Sequence, residues 1–217
     1  MNAWGIVAIV VAATAAGTAF YAYQQQVQAP LATDQPRVQP ADEGQSPAQL
    51  VEALPQFQLA DRDGQARSLR DWPDKALIVN FWATWCAPCR REIPLLQQLQ
   101  REHEAEGFQV IGIAVDFRDK VLAYADDMKI EYPLLIGEQE ALDAAAAFGV
   151  STVGLPFTVF SDARGRIVTA HLGELTTAEA DLILSAVRRV NAGELSPTDA
   201  RVALDAALAA LPEPASD

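Results

Sequence analysis

The sequence predicts an α/β fold, a sheet flanked by helices, with an apolar N-terminal helix before it and a helical extension after it. Three observations carry this. β-rich apolar runs alternate with segments of helical period from residue 54 onward. Half of the 217 residues are apolar, enough to bury a core without covalent staples. The only two cysteines, Cys86 and Cys89, lie three positions apart. A bridge closing so small a loop stabilises little in the loop-entropy model, so these cysteines do not serve as an architectural framework.

Taken in order, Ala3 to Tyr23 is an almost wholly apolar run without a charged side chain. About 20 such residues span a bilayer core as a helix. Trp4 at one end and Tyr21 and Tyr23 at the other suit the two membrane interfaces. No basic segment precedes the run, and it exceeds the usual apolar core of a cleaved signal, so residues 1–23 read as an uncleaved anchor. The first charged side chain is Asp34 and the first basic one Arg37. The α-amino group is then the only positive charge at the short end, which favours the bulk of the chain outside the cytoplasm. Residues 24–50, rich in Gln, Pro and Ala without an apolar period, read as a flexible linker.

The folded domain is expected over 51–190. Phe57 and Leu59 alternate with Gln56, Gln58 and Ala60 as in a short strand, and Asp61-Arg62-Asp63-Gly64 reads as a hairpin turn. Ala76 to Trp82 and Phe108 to Val115 are apolar runs of buried-strand type. Between them, Leu95, Leu96 and Leu99 mark the apolar face of a helix reaching Glu106 and stopped by Gly107. Helices follow over Lys120 to Lys129 and Glu138 to Phe148, with a strand over Pro133 to Ile136 between them. Pro156 to Phe160 and Ile167 to His171 are paired strands across the turn Ala163 to Arg166, and Thr176 or Thr177 caps a helix ending near Val190. In the extension, 191–217, Val202, Leu204, Ala207, Leu208 and Leu211 recur at near-helical spacing, so this helix is expected to dock on the domain.

The net charge of −13 repels phosphate backbones and argues against a nucleic-acid partner. Chemistry concentrates at Trp85-Cys86-Ala87-Pro88-Cys89, between a strand and a helix. Cys86 falls at a helix start, where orphan N–H groups and the dipole favour an anion and lower the thiol below its ordinary pKa. Cys86 is therefore the expected nucleophile, and Cys89, one turn on, the resolving thiol. A zinc site needs about four ligands, which one Cys-x-x-Cys does not supply, and haem attachment needs a histidine where Arg90 stands. No cofactor or metal is expected. Two rivals use the same thiols: a peroxidase, and a tethered copper-handling module. Against the first, Thr84 stands two residues before Cys86, one short of the peroxiredoxin spacing.

The stretch Leu54 to Leu59, Asp63-Gly64, Asn80-Phe81-Trp82-Ala83-Thr84-Trp85-Cys86-Ala87-Pro88-Cys89-Arg90-Arg91-Glu92-Ile93-Pro94 and Gly154-Leu155-Pro156-Phe157-Thr158 resembles the TlpA/ResA-like branch of thioredoxin-fold thiol–disulfide oxidoreductases. The resemblance implies a thioredoxin-like fold with a central mixed sheet, and residues 116–149 as an inserted helix–strand unit. Pro156 is implied to be a cis-proline facing the cysteines, with Leu155 offering backbone bonds to an extended substrate. Glu92 is implied to govern the acid–base behaviour of the cysteines, which it follows on one helix face. Asn80 stands where thioredoxin has a buried aspartate and cannot take that residue's proton. Trp82 is expected in the core and Trp85 at the partner surface, while His103 and His171 are expected to be surface or satisfied residues. The family further implies disulfide-containing client proteins, as in cytochrome c maturation or metal-site assembly, and a membrane thiol donor that re-reduces the pair.

Overall fold

The computed structural model describes residues 50–149 and 154–212. The expected anchor and most of the linker lie outside them. Among the described residues, no helix is long and apolar enough to cross a membrane.

Two fully buried strands form the middle of the sheet, β3 (Ala76–Trp82) and β4 (Phe108–Val115), both with the bounds their apolar runs predict. They pair in parallel, Ala76 opposite Phe108 through Trp82 opposite Ala114. Such burial on both faces explains why they read as continuous apolar runs. Around them stand β1 (Leu59–Asp61), β2 (Ala66–Arg67), β5 (Leu134–Gly137), β6 (Phe157–Ser161) and β7 (Ile167–Leu172), in the order β2-β1-β5-β4-β3-β6-β7. β5 runs parallel to β4, while β1, β2, β6 and β7 join antiparallel, so the sheet is mixed as expected. β5 and β6 begin one residue after Pro133 and Pro156, whose rings leave no N–H for a ladder.

Helices cover both faces. α1 (Ala87–His103), α2 (Arg118–Asp127) and α4 (Thr177–Asn191) pack on the layer holding Ile78, Trp82, Val110 and Phe160. α3 (Gln139–Ala146) packs on the other, with Val79, Phe81, Ile111 and Phe148. A 3-10 turn, Glu104–Glu106, extends α1 to Gly107, which takes φ 91° and ends it where expected. At the other helix start, Thr176 is the cap: its hydroxyl accepts from Glu179 N, and the Glu179 carboxylate accepts from Thr176 N at 2.8 Å.

The extension docks. α5 (Pro197–Ala209) buries Ala200 and Leu204, while Val202, expected on the docking face, is 67% exposed. Its Arg201 donates to the carbonyls of Val168 at 3.2 Å and Ile167 at 3.1 Å. A register irregularity falls between Phe160 and Ser161, opposite this stretch of β7. Such a bulge lets neighbouring carbonyls of an edge strand face outward together, where the guanidinium covers both.

Candidate active site

β3 leaves the core at Trp82, and three residues carry the chain to Cys86, the residue before α1. Asp116, at the end of the neighbouring β4, shapes this turn. Its Oδ2 accepts from Thr84 N at 3.2 Å and from the Thr84 hydroxyl, and its Oδ1 accepts from Phe117 N at 2.8 Å. Thr84 thus spends its hydroxyl on Asp116. Trp85 is thrown into solvent, 68% exposed.

Cys86 is the cap residue of α1, and its Sγ accepts from Cys89 N at 3.3 Å. In the reduced form an N–H donor so placed at a helix start favours a thiolate. Pro88 lies in the first turn, where a missing N–H costs little. The two cysteines are joined as a disulfide, Cα to Cα 5.3 Å. Cys86 is 5% exposed and Cys89 0%, the order expected of an attacking and a resolving sulfur.

The Leu155–Pro156 peptide bond is cis, as the resemblance implied. Phe157 pairs with Phe81 on β3, so Pro156 stands at the sheet end from which the chain runs to Cys86. Its carbonyl accepts from Gly173 N at 2.9 Å. Leu155 is half-buried and packs against both core layers.

Glu92 is inside the protein, 1% exposed, two helical positions past the solvent-facing Arg90. Its Oε1 accepts from Asn80 Nδ2 at 2.6 Å, and its Oε2 from Leu175 N at 2.9 Å. Asn80 Nδ2 also donates to Thr158 Oγ1 at 2.9 Å, across the β3–β6 pair that sets Asn80 opposite Thr158. Asn80 Oδ1 is buried without a partner. Burial pushes the Glu92 carboxyl up to about 7, against the two hydrogen bonds that lower it. Desolvation therefore wins, and the group titrates near neutrality inside the helix that carries the cysteines.

Asn80 therefore has a use that sequence reading missed: it is the donor that holds Glu92. Its place at the thioredoxin aspartate position was the available signal. Thr158 and the Leu175 N–H carried no signal, since strand register and a loop 83 positions away bring them in. Trp82 is core, tilted on Tyr124 at 5.7 Å between centroids. His103 lies 3.2 Å from Glu106 at the surface, and His171 lies 3.4 Å from the Glu174 carbonyl. The exposed Trp85, next to Cys86 in sequence, lines a cavity of about 350 Å³ with the exposed Phe117 and Leu142 and with Asp116 and Glu138.

Residues 50–170 match the sequence profile of the AhpC/TSA family. The chain belongs to the AhpC/TSA family. Among curated relatives, it is 33% identical over 129 residues to the thioredoxin-like protein YneN of Bacillus subtilis (strain 168), covering 58% of this chain and 72% of that one. It is 30% identical over 130 residues to the thiol-disulfide oxidoreductase ResA of Halalkalibacterium halodurans, covering 59% and 72%. Among solved structures, it is similar to a thiol:disulfide interchange protein, a thioredoxin family protein from Chlorobium tepidum TLS. That match has 34% identity and TM-score 0.53 over 63% of this chain and 94% of the other. A secreted thiol-disulfide isomerase from Corynebacterium glutamicum matches with 29% identity and TM-score 0.54, over 58% and 80%. The fold is thioredoxin-like, and the family relation agrees with the ResA/TlpA-like resemblance. With Cys86 and Cys89 paired at the helix start of that fold, the chain is a thiol–disulfide oxidoreductase.

Proposed function

We propose that this chain is held to the inner membrane by residues 1–23 and reduces disulfides in client proteins outside the cytoplasm, a membrane thiol donor restoring its dithiol. The observation that carries the chemical part is the buried Glu92 carboxyl on the same helix as a cysteine pair that begins it. In the reduced protein, the Cys86 thiolate attacks a client disulfide, forming a mixed disulfide and releasing one client thiolate. The Cys89 proton passes to the Glu92 carboxylate. The Cys89 thiolate then attacks Cys86, closing the disulfide and releasing the second client thiolate. A carboxyl that titrates near 7 suits this exchange, because it accepts and returns a proton at neutral pH. Pro156 and Leu155 would align the client backbone, and Trp85 with Phe117 and Leu142 would pack its side chains, since exposed apolar clusters mark contact surfaces.

Support for the tether is the uncharged run Ala3 to Tyr23 followed by a Pro- and Gln-rich spacer. Clients are disulfide-containing proteins, with cytochrome c maturation and metal-site assembly the settings named by resemblance. The test is a Cys89→Ala trap in the native cell. Client proteins should accumulate on Cys86 as mixed disulfides that dissolve on reduction, captured at the outer face of the inner membrane. Failure to trap any protein, together with a Cys86 that resists alkylation below pH 8 in the purified reduced protein, would remove the exchange mechanism.

A further inference from the structure

We propose that Arg91 and Glu174 are positioning residues that set the proton affinity of Glu92, and through it the release of the Cys89 proton. The proposal rests on the exchange mechanism above and concerns residues that mechanism does not use.

The geometry is a double grip. Two consecutive residues of α1, Arg91 and Glu92, hold two consecutive residues of the β7–α4 loop, Glu174 and Leu175. Outside, Arg91 Nε and Nη2 both donate to Glu174 Oε2, at 2.8 and 2.5 Å. Inside, Leu175 N donates to Glu92 Oε2 at 2.9 Å. The outer pair thus fixes the loop whose next N–H supports the buried carboxyl. Its side chains are 61% and 35% exposed, and pairs of that kind contribute little to global stability. What distinguishes this pair is its place in the chain, one residue from the buried carboxyl on either side.

The pair also carries charge to the site. The negative charge of Glu174 raises the Glu92 carboxyl, and Arg91 neutralises that charge. The other groups around Glu92 come from each packed element. β3 and β6 supply the neutral Asn80 and Thr158. The segment before β5 supplies Tyr132, whose buried hydroxyl is raised first by desolvation and then by Glu92 itself. β7 supplies His171, opposite Thr158 and 3.9 Å from Glu179 of α4. α1 itself adds the exposed Arg90 beside the cysteines.

The two halves of the grip make opposite predictions. Arg91→Met leaves Glu174 unneutralised and its loop loose, so Glu92 should hold its proton to higher pH. Glu174→Gln keeps an acceptor for Arg91 but removes the charge, so Glu92 should release its proton at lower pH. Each midpoint should move by about 0.2 to 0.7 pH unit, the effect an exposed pair supplies. A merely structural pair would move both variants the same way.

The experiment uses the full-length chain. The Glu92 carboxyl is titrated by carbon NMR in the oxidised protein, its signal assigned by its loss in Glu92→Gln. In parallel, the reduced protein is mixed with a chromogenic aryl disulfide, and release of the second aryl thiol, which reports the Cys89 step, is followed against pH. Opposite shifts in both readouts, with recovery in Arg91→Lys, are expected. Unmoved midpoints, or shifts of one sign, overturn the proposal even if the wild type exchanges disulfides normally. A wild type that exchanges nothing while the midpoints still shift would instead overturn the exchange mechanism.

Discussion

Glu92→Gln should abolish a specific loss of stability between about pH 4.5 and 7. The folded carboxyl is raised from the ordinary 4.5 to about 7 by burial. In that window the folded protein keeps a proton that the unfolded chain has released. Stability from this group is therefore fully present below pH 4.5 and disappears as pH rises to about 7. The difference between the two affinities corresponds to about 3 kcal/mol, a large part of a domain's total. The substitution removes the titration and leaves the shape nearly unchanged. Its new amide oxygen can accept from Leu175 N, and its NH₂ can meet Asn80 Oδ1, which has no partner in the native protein, after a flip of the Asn80 amide. The assay is urea unfolding of the oxidised wild type and variant at half-unit steps from pH 4.5 to 8, read as a difference so that the other carboxylates cancel. The variant should gain on the wild type steadily and level off near pH 7. A flat difference curve would show that Glu92 ionises in the fold as readily as in the unfolded chain, and the reasoning from burial would fail.

Asn80→Asp places a second carboxyl 2.6 Å from Glu92 in a buried site, where two negative charges repel and one proton is retained. Its stability should fall relative to wild type by about 1–3 kcal/mol more at pH 8 than at pH 5, measured by the same unfolding series; a pH-independent loss would contradict this. Arg201→Ala strips the donors from the Ile167 and Val168 carbonyls, at a cost of about 1–2 kcal/mol. Faster amide exchange confined to α5 and β7 is the expected signature, and unchanged exchange there would show that the helix docks by apolar contact alone.

Much of the fold is legible because the central strands are long and apolar on both faces. β3 and β4 needed no context. β2, two exposed residues, has no period to read, and it exists only because the Asp61 to Gly64 turn folds it back on β1. The 3-10 turn Leu69–Asp71 was missed although it carries a readable signal, the capping box of Ser68 and Asp71. The same chemistry resolves the choice between Thr176 and Thr177, since only Thr176 has an acidic residue, Glu179, three positions on. At the site, local spacing suffices for Cys86, Cys89 and the shared face of Glu92. The contacts that determine how Glu92 behaves depend on register and loop placement, with Thr158 78 positions from Asn80 and Glu174 83 from Arg91. No local pattern encodes such pairings.

The strand that leads into the cysteine turn is buried from end to end between two neighbours. In most proteins such a strand opens only when the whole domain does, while its surface loops open far more often. Cys86 follows that strand after three residues and is tied back to it through Ala83. Electrons can therefore enter and leave the sulfur pair without any global opening of the domain, with the chemistry carried on a foundation that does not take part in it.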